Sequence, residues 1–69
     1  MKNNVEKFRK EYNLSQEELA NILEVSRQTI SSLENGKYAP SIFLAFKLSK
    51  YFKKPIEKIF VYEEGKNEK

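Results

Sequence analysis

The fold is decided by residues 16–36, QEELANILEVSRQTISSLENG, which carry two short helical patterns with a break between them. The apolar residues recur at helical spacing, and they are Leu19, Leu23, Ile30 and Leu33. Ala20 is small, as a close and steep crossing of two helices requires. Ser26 can begin the second helix, because its hydroxyl can accept hydrogen bonds from the free N–H groups that follow. The pattern predicts two helices, 16–23 and 27–35, joined by a turn at Glu24 and Val25.

The face of the second helix that points away from this core is polar. Its residues are Arg27, Gln28, Ser31 and Ser32, and no acidic residue occurs before Glu34. In the major groove of DNA, guanine presents acceptors that suit Arg, adenine presents a donor and an acceptor that suit Gln, and Ser suits either. This face is therefore expected to meet DNA, although a solvated surface is the alternative for so short a motif.

A wider match supports the first interpretation. It adds an amphipathic first helix with Val5, Phe8 and Arg9, then Leu14-Ser15-Gln16, Leu33-Glu34-Asn35-Gly36-Lys37 and Pro40-Ser41. With these segments, residues 4–60 resemble the Cro and phage-repressor type of helix-turn-helix, the XRE family of regulators. The resemblance implies an all-α, compact five-helix bundle of the lambda-repressor-like type, in which the second and third helices read DNA.

The resemblance also implies roles for individual residues. The expected base contacts are Arg27, Gln28, Ser31 and Ser32, and the expected DNA backbone contacts are Gln16, Ser26, Thr29, Asn35, Lys37 and Tyr38. Backbone N–H groups at Asn35 and Gly36 are expected to meet phosphate, with Gly36 as a left-handed helix stop. Arg9 and Glu34 match positions that form a structural ion pair.

One position departs from the family pattern. Glu24 stands where the family often has Gly, because the turn there tends to need a positive φ, which costs a residue with a Cβ about 1 kcal/mol. We therefore expect a strained or slightly altered turn at Glu24.

The remaining helices follow from apolar spacing and capping residues. Helix 1 is predicted over Asn4–Tyr12, and Ser15 with Glu18 has the spacing of a capping box at the start of helix 2. Helix 4 is predicted over Ile42–Phe52, with Ile42, Ala45, Leu48 and Phe52 turned inward. Phe43 and Phe46 fall off that face. For Phe43, packing against the loop 37–40 is favoured over contact with the DNA backbone.

The C-terminal part combines a short helix with a surplus of apolar residues. Pro55 suits the first turn of helix 5, and residues 60–62 are β-prone, which allows a short C-terminal strand. Short family members of the cytolysin-repressor type pair through this helix and such a strand. We therefore expect a homodimer interface at Ile59, Phe60 and Tyr62; closure of the monomer core by these residues is the alternative. The domain is predicted over 1–62, and the charged residues 63–69 form a tail.

Composition limits the other function classes. A chain of 69 residues without Cys or His lacks the usual base and metal ligands, so no catalytic residue, metal or cofactor is predicted. The adjacent acids Glu17 and Glu18 are explained by the helix dipole alone. Neither a membrane span nor a signal peptide is evident, and no small-molecule ligand is indicated, so a cytoplasmic protein is expected.

The charge of +3 is distributed unevenly. Residues 37–58 carry six Lys and one Glu, and most of these lysines are expected to face water. The sequence thus predicts a homodimeric transcriptional repressor that binds double-stranded DNA at an inverted-repeat operator. The alternative is an antitoxin-like module that binds a partner protein and binds DNA secondarily. RNA binding is disfavoured, because no aromatic stacking platform at strand spacing is visible.

Overall fold

Five helices make up the described part of the fold, as the all-α prediction required. A computed structural model describes residues 2–37 and 39–61. The helices are α1 Val5–Glu11, α2 Gln16–Leu23, α3 Arg27–Glu34, α4 Ile42–Phe52 and α5 Ile56–Ile59. Met1, Tyr38 and residues 62–69 lie outside the described residues, so the predictions for Tyr38, Tyr62 and the tail are not addressed by the structure.

Serine side chains start three of the helices. Ser15 and Glu18 form the predicted capping box, in which the Glu18 N–H donates to Ser15 Oγ at 3.0 Å and the Ser15 N–H donates to Glu18 Oε1 at 2.8 Å. Ser26 caps α3 by accepting from the Thr29 N–H, and Ser41 caps α4 in the same way. These caps satisfy N–H groups that have no partner inside the helix, so they fix where each helix begins.

The core lies between α2, α3 and α4, with α1 and α5 closing it. Leu19, Ile30, Leu33 and Leu48 are completely buried. Phe8 of α1 packs against Phe52 of α4, with ring centroids 5.7 Å apart. The helix-turn-helix pair α2–α3 is therefore held on a hydrophobic base formed by the rest of the chain.

Helices α1 to α4 are each followed within two residues by a residue with a positive φ, whereas α5 is followed by extended backbone at Phe60. Asn13, Glu24, Gly36 and Lys53 all have a positive φ. At Glu24 (φ 62°) the next N–H, of Val25, donates to the Ala20 carbonyl at 2.9 Å, which closes the last turn of α2. The expected positive φ at the turn is confirmed, and it is adopted by a residue with a Cβ.

The two ends of the described chain lie side by side. Asn3 and Phe60 form an antiparallel bridge, and the Val61 N–H donates to the Lys2 carbonyl at 3.0 Å. The Asn4 N–H donates to the Ile59 carbonyl at 2.7 Å. Within the described residues, the β-prone C-terminal segment forms this single bridge.

The predicted inward face of α4 was wrong at its first residue. Ile42 is 64% exposed, and Leu44 is buried in its place. Residues 42, 45 and 48 are three apart, and each such step turns the direction back by about 60° on a helix of 3.6 residues per turn. Ile42 lies two such steps before Leu48, so its side chain points about 120° away from that of Leu48 and outside the buried face of α4. Phe43 is 75% exposed, so its expected packing against the loop was also wrong.

Two apolar residues near the end of the described chain are buried in its own core. Ile59 is completely buried and Phe60 is 8% exposed, so these two side chains close the core of their own chain. That is the arrangement held as the alternative to a dimer contact. The three most exposed large apolar side chains of the described residues lie instead on α4, and they are Ile42, Phe43 and Phe46.

Candidate nucleic-acid interface

The outer face of α3 presents the four side chains predicted to contact bases. Ile30 and Leu33 fix the inner face, since both are completely buried. Arg27 and Gln28 are exposed, whereas Ser31 and Ser32 are half-buried. Neither Arg27 nor Gln28 has a side-chain hydrogen bond or ion pair to any part of residues 2–37 and 39–61. Their donors are therefore available to an external ligand.

Ser26 and Thr29 form a small polar unit at the start of α3. Ser26 Oγ accepts from the Thr29 N–H at 3.0 Å and lies 2.9 Å from Thr29 Oγ1. Each hydroxyl keeps a second position for a hydrogen bond, because a hydroxyl combines one donor with two acceptor lone pairs. This unit rigidly orients the end of the helix that carries Arg27.

The single acid of α3 is removed from the outer face by an ion pair. Arg9 Nε donates to Glu34 Oε2 at 2.6 Å, and Arg9 Nη2 donates to Glu34 Oε1 at 3.2 Å. The side chains are 10% and 4% exposed, and Arg9 Nη1 also donates to the Leu14 carbonyl at 2.7 Å. Hydrogen bonding to Glu34 raises the pKa of Arg9 above its usual value. Arg9 thus stays charged, and α3 presents Arg27 outward with its own acid neutralised.

Gln16, predicted to hold phosphate, is the third member of this network. Its Nε2 donates to Glu34 Oε1 at 3.0 Å, which ties the first residue of α2 to the last residue of α3. The amide nitrogen carries two hydrogens, so one of them remains for another acceptor. Gln16 therefore connects the two helices of the motif whatever else it contacts.

The chain leaves α3 through a Schellman motif. The Gly36 N–H donates to the Leu33 carbonyl at 3.0 Å and the Lys37 N–H to the Ser32 carbonyl at 3.1 Å, with Gly36 at φ 74°. The Asn35 N–H also donates inside the helix, to Ser31. The expected left-handed helix stop at Gly36 is confirmed. Because the N–H groups of Asn35 and Gly36 already donate to helix carbonyls, their contact with phosphate stays a prediction. Asn35 and Lys37 are exposed and can act through their side chains.

Comparisons with known proteins agree with this geometry. A helix-turn-helix family model matches residues 5–59. The chain is 55% identical over 64 residues to an uncharacterised HTH-type transcriptional regulator of Methanocaldococcus jannaschii, covering 93% of this chain and 97% of the relative. It is 42% identical over 64 residues to the HTH-type regulator YgzD of Bacillus subtilis, covering 93% of this chain and 97% of the relative.

The chain belongs to the XRE-type helix-turn-helix family. The resemblance read from residues 4–60 is thereby confirmed. Members of this family are DNA-binding regulators of transcription and not enzymes. Within the described part of this XRE-type chain, no helix has the length and apolar character needed to cross a membrane, and no acidic, Cys or His side chains cluster as metal ligands.

One residue at the interface of this XRE-type regulator was missed by the sequence analysis. Asn3 Nδ2 donates to the Leu33 carbonyl at 2.8 Å, and Asn3 Oδ1 accepts from the Val5 N–H at 3.1 Å. Asn3 lines a shallow hollow together with Lys2, Glu34, Asn35 and Gly36. A contact across 30 positions leaves no local signal in the sequence. It fastens the C-terminal end of α3 to the start of the chain.

Proposed function

We propose that this protein represses transcription by binding an inverted-repeat operator as a homodimer, with α3 of each copy in the major groove. The observation that carries the proposal is the contrast on α3. Arg27 and Gln28 are exposed and have no partner within residues 2–37 and 39–61, whereas Glu34 is buried in its pair with Arg9. A helix with exposed hydrogen-bond donors and a buried, paired carboxylate suits the acceptor-rich major groove of DNA.

The proposed contacts divide into two classes. Bases are read by Arg27 and Gln28, with Ser31 and Ser32 beside them. The proposed phosphate contacts are Gln16, Ser26, Thr29, Asn35, Lys37 and Tyr38. Phosphate contacts position the protein without selecting sequence, so specificity rests on the first class. Repression is proposed because a protein bound across a promoter blocks access to it without any further contact. Binding of chromosomal DNA places the protein in the cytoplasm.

The test is a fluorescence-anisotropy titration with duplexes tiled across the upstream region of the gene, at one fixed salt concentration. Wild type is compared with Arg27→Ala and Gln28→Ala. Each substitution is expected to weaken binding to the operator tile by about 5-fold to 150-fold, since a bidentate pair contributes about 1–3 kcal/mol of discrimination. Lys58→Ala on α5 is the control for loss of one positive charge, and it is expected to retain operator binding.

Equal weak binding to every tile, unchanged in both variants, would count against sequence-specific recognition in this region. The second candidate would then apply, an antitoxin-like module whose main ligand is a protein. The exposed apolar side chains of α4 favour that candidate, because such surfaces commonly mark protein contacts.

A further inference from the structure

The outer face of α4 changes character halfway along the helix. Leu44, Ala45, Leu48 and Phe52 are buried on the inner side. The first half of the opposite side carries an apolar patch, here called the α4 patch, made of Ile42, Phe43 and Phe46, which are 64%, 75% and 52% exposed. The second half carries exposed Lys47 and Lys50, and exposed Lys53 follows the helix directly.

The area of the α4 patch is large for so small a domain. Aromatic side chains each have about 150–250 Å² of surface, so the three residues expose on the order of 400 Å². That matches the largest apolar patch of a typical monomer, which is often functional. Neither Phe43 nor Phe46 has a ring contact within residues 2–37 and 39–61. The patch therefore lacks a covering element in the described chain.

We propose that a second copy of this chain covers the α4 patch, with the two α4 helices antiparallel across a two-fold axis. The inference rests on the proposed function, which requires two recognition helices, and it places their interface on α4 in place of Ile59 and Phe60. Two facing patches bury on the order of 800 Å² of apolar surface. With a polar rim, that is enough for the core of a standard interface of about 1,600 Å².

The distribution of charge favours the antiparallel arrangement. If the helices cross at the patch, Lys50 of each copy lies about 8 Å along its helix from the crossing point, at 1.5 Å per residue. Antiparallel helices carry the two Lys50 side chains in opposite directions, about 16 Å apart, which exceeds the screening length of about 8 Å at physiological salt. A parallel arrangement would place the basic halves beside each other.

The position of the α4 patch in the chain is compatible with a dimer whose two recognition helices lie one turn of DNA apart. Residues 35–41 connect α3 to α4 and can span at most about 27 Å. Recognition helices that enter successive major grooves lie about 34 Å apart, so each lies about 17 Å from the two-fold axis. An interface at the start of α4 is within that reach.

Sedimentation velocity on the full chain tests the proposal, with wild type, Phe43→Asp and Val61→Asp compared at tens of micromolar. Val61 is the matched control, because it is an apolar residue, 38% exposed, at the C-terminal end of the described chain. We expect wild type and Val61→Asp to be dimers and Phe43→Asp to be monomeric, with association weakened at least about 100-fold. A dimer that survives Phe43→Asp overturns the proposal, as does a monomeric wild type, which would assign the patch to a different protein.

Two further measurements keep the result interpretable. Far-UV circular dichroism melts show whether Phe43→Asp is folded, and Phe46→Asp is expected to give the same monomer from a second position. Binding to a single half-site duplex separates this inference from the proposed function. Phe43→Asp is expected to bind the half-site like wild type and to bind the two-half-site duplex at least about 10-fold more weakly. If wild type ignores the half-site sequence or is monomeric, the proposed function fails as well; if wild type is a dimer and Phe43→Asp remains one, this inference fails alone.

Discussion

The helices α3 and α4 are built alike and differ on their outer faces. Each begins at a serine cap and ends near a residue with a positive φ, and each buries one apolar face in the same core. Outside, α3 is polar with its acid withdrawn, whereas α4 is apolar in its first half and basic in its second. The comparison indicates that the inner faces determine the fold, whereas the outer faces differ in chemistry, which is why we propose a nucleic acid as the ligand of α3 and a protein surface as the ligand of α4.

The largest effect is expected from removing the ion pair between Arg9 and Glu34, which anchors the end of α3 to α1. Arg9→Met leaves the Glu34 carboxylate buried without its partner, so the free energy of unfolding should fall by about 3 kcal/mol or more in urea denaturation followed by circular dichroism. Lys10→Met on the exposed side of α1 is the control and should cost little. Adding Glu34→Leu to Arg9→Met should recover much of the loss. If Arg9→Met is no worse than Lys10→Met, the anchorage is absent.

The serine caps allow the two helices to be compared directly. Ser26→Ala and Ser41→Ala each remove one side-chain cap, so each should lower the free energy of unfolding by about 1 kcal/mol. Operator binding should weaken in Ser26→Ala beyond what its stability loss explains, because Ser26 lies beside Arg27. Ser41→Ala should bind like wild type. Equal losses of DNA affinity in both variants would contradict the assignment of the ligand to α3.

Residues with a positive φ near the helix ends provide a third comparison. Gly36→Ala places a Cβ at φ 74° after α3 and should destabilise the protein by about 1 kcal/mol. Lys53→Gly relieves the same conflict after α4, at φ 57°, and should stabilise by up to about 1 kcal/mol. Lys53→Ala keeps the Cβ and should bring no gain. Thermal melts give all three values, and a gain in Lys53→Ala equal to that in Lys53→Gly would refute the backbone explanation.

The smallest effect is expected at Glu6, a second acidic residue near Arg9. Glu6 lies 4.0 Å from Arg9 and 3.0 Å from Lys10, and the hydrogen bond from Lys10 lowers the pKa of Glu6 below its usual 4.5. A carboxyl group whose pKa is lower in the folded than in the unfolded state stabilises the fold at pH values above its unfolded pKa. This stabilisation is lost as the pH falls through the folded pKa. Glu6→Gln should therefore slightly lower the Tm at pH 7, and this difference should shrink as the pH falls below 4.5. A difference that persists in acid would indicate a contact other than charge.

The sequence predicted best what is decided locally. The capping box at Ser15 and the cap at Ser26 each depend on a few adjacent residues, and both are present. The positive φ at Glu24 was expected from the family resemblance, and it is present as well. The pair between Arg9 and Glu34 was expected from the resemblance alone, because spacing in the sequence does not bring positions so far apart together.

What could not be predicted depends on the directions of side chains in the assembled core. Ile42 fell outside the buried arc of α4 because a repeat of three drifts around the helix. Ile59 and Phe60 were expected at a dimer surface, but the core of this small bundle has room for both. Asn3 was missed because its partner is 30 positions away. Predicting these outcomes requires the packed structure.

The junction of the two chain ends has a consequence for the order of folding. Residues 2–4 bond to residues 58–61, and these contacts span almost the whole described chain. Such distant contacts are the slowest to form, because a long loop must close before they bring any gain. During synthesis they cannot form until residue 61 has been made. Asn3, which fastens the end of α3, belongs to that late segment, so the DNA-reading helix is secured only when the last helix of the bundle has docked.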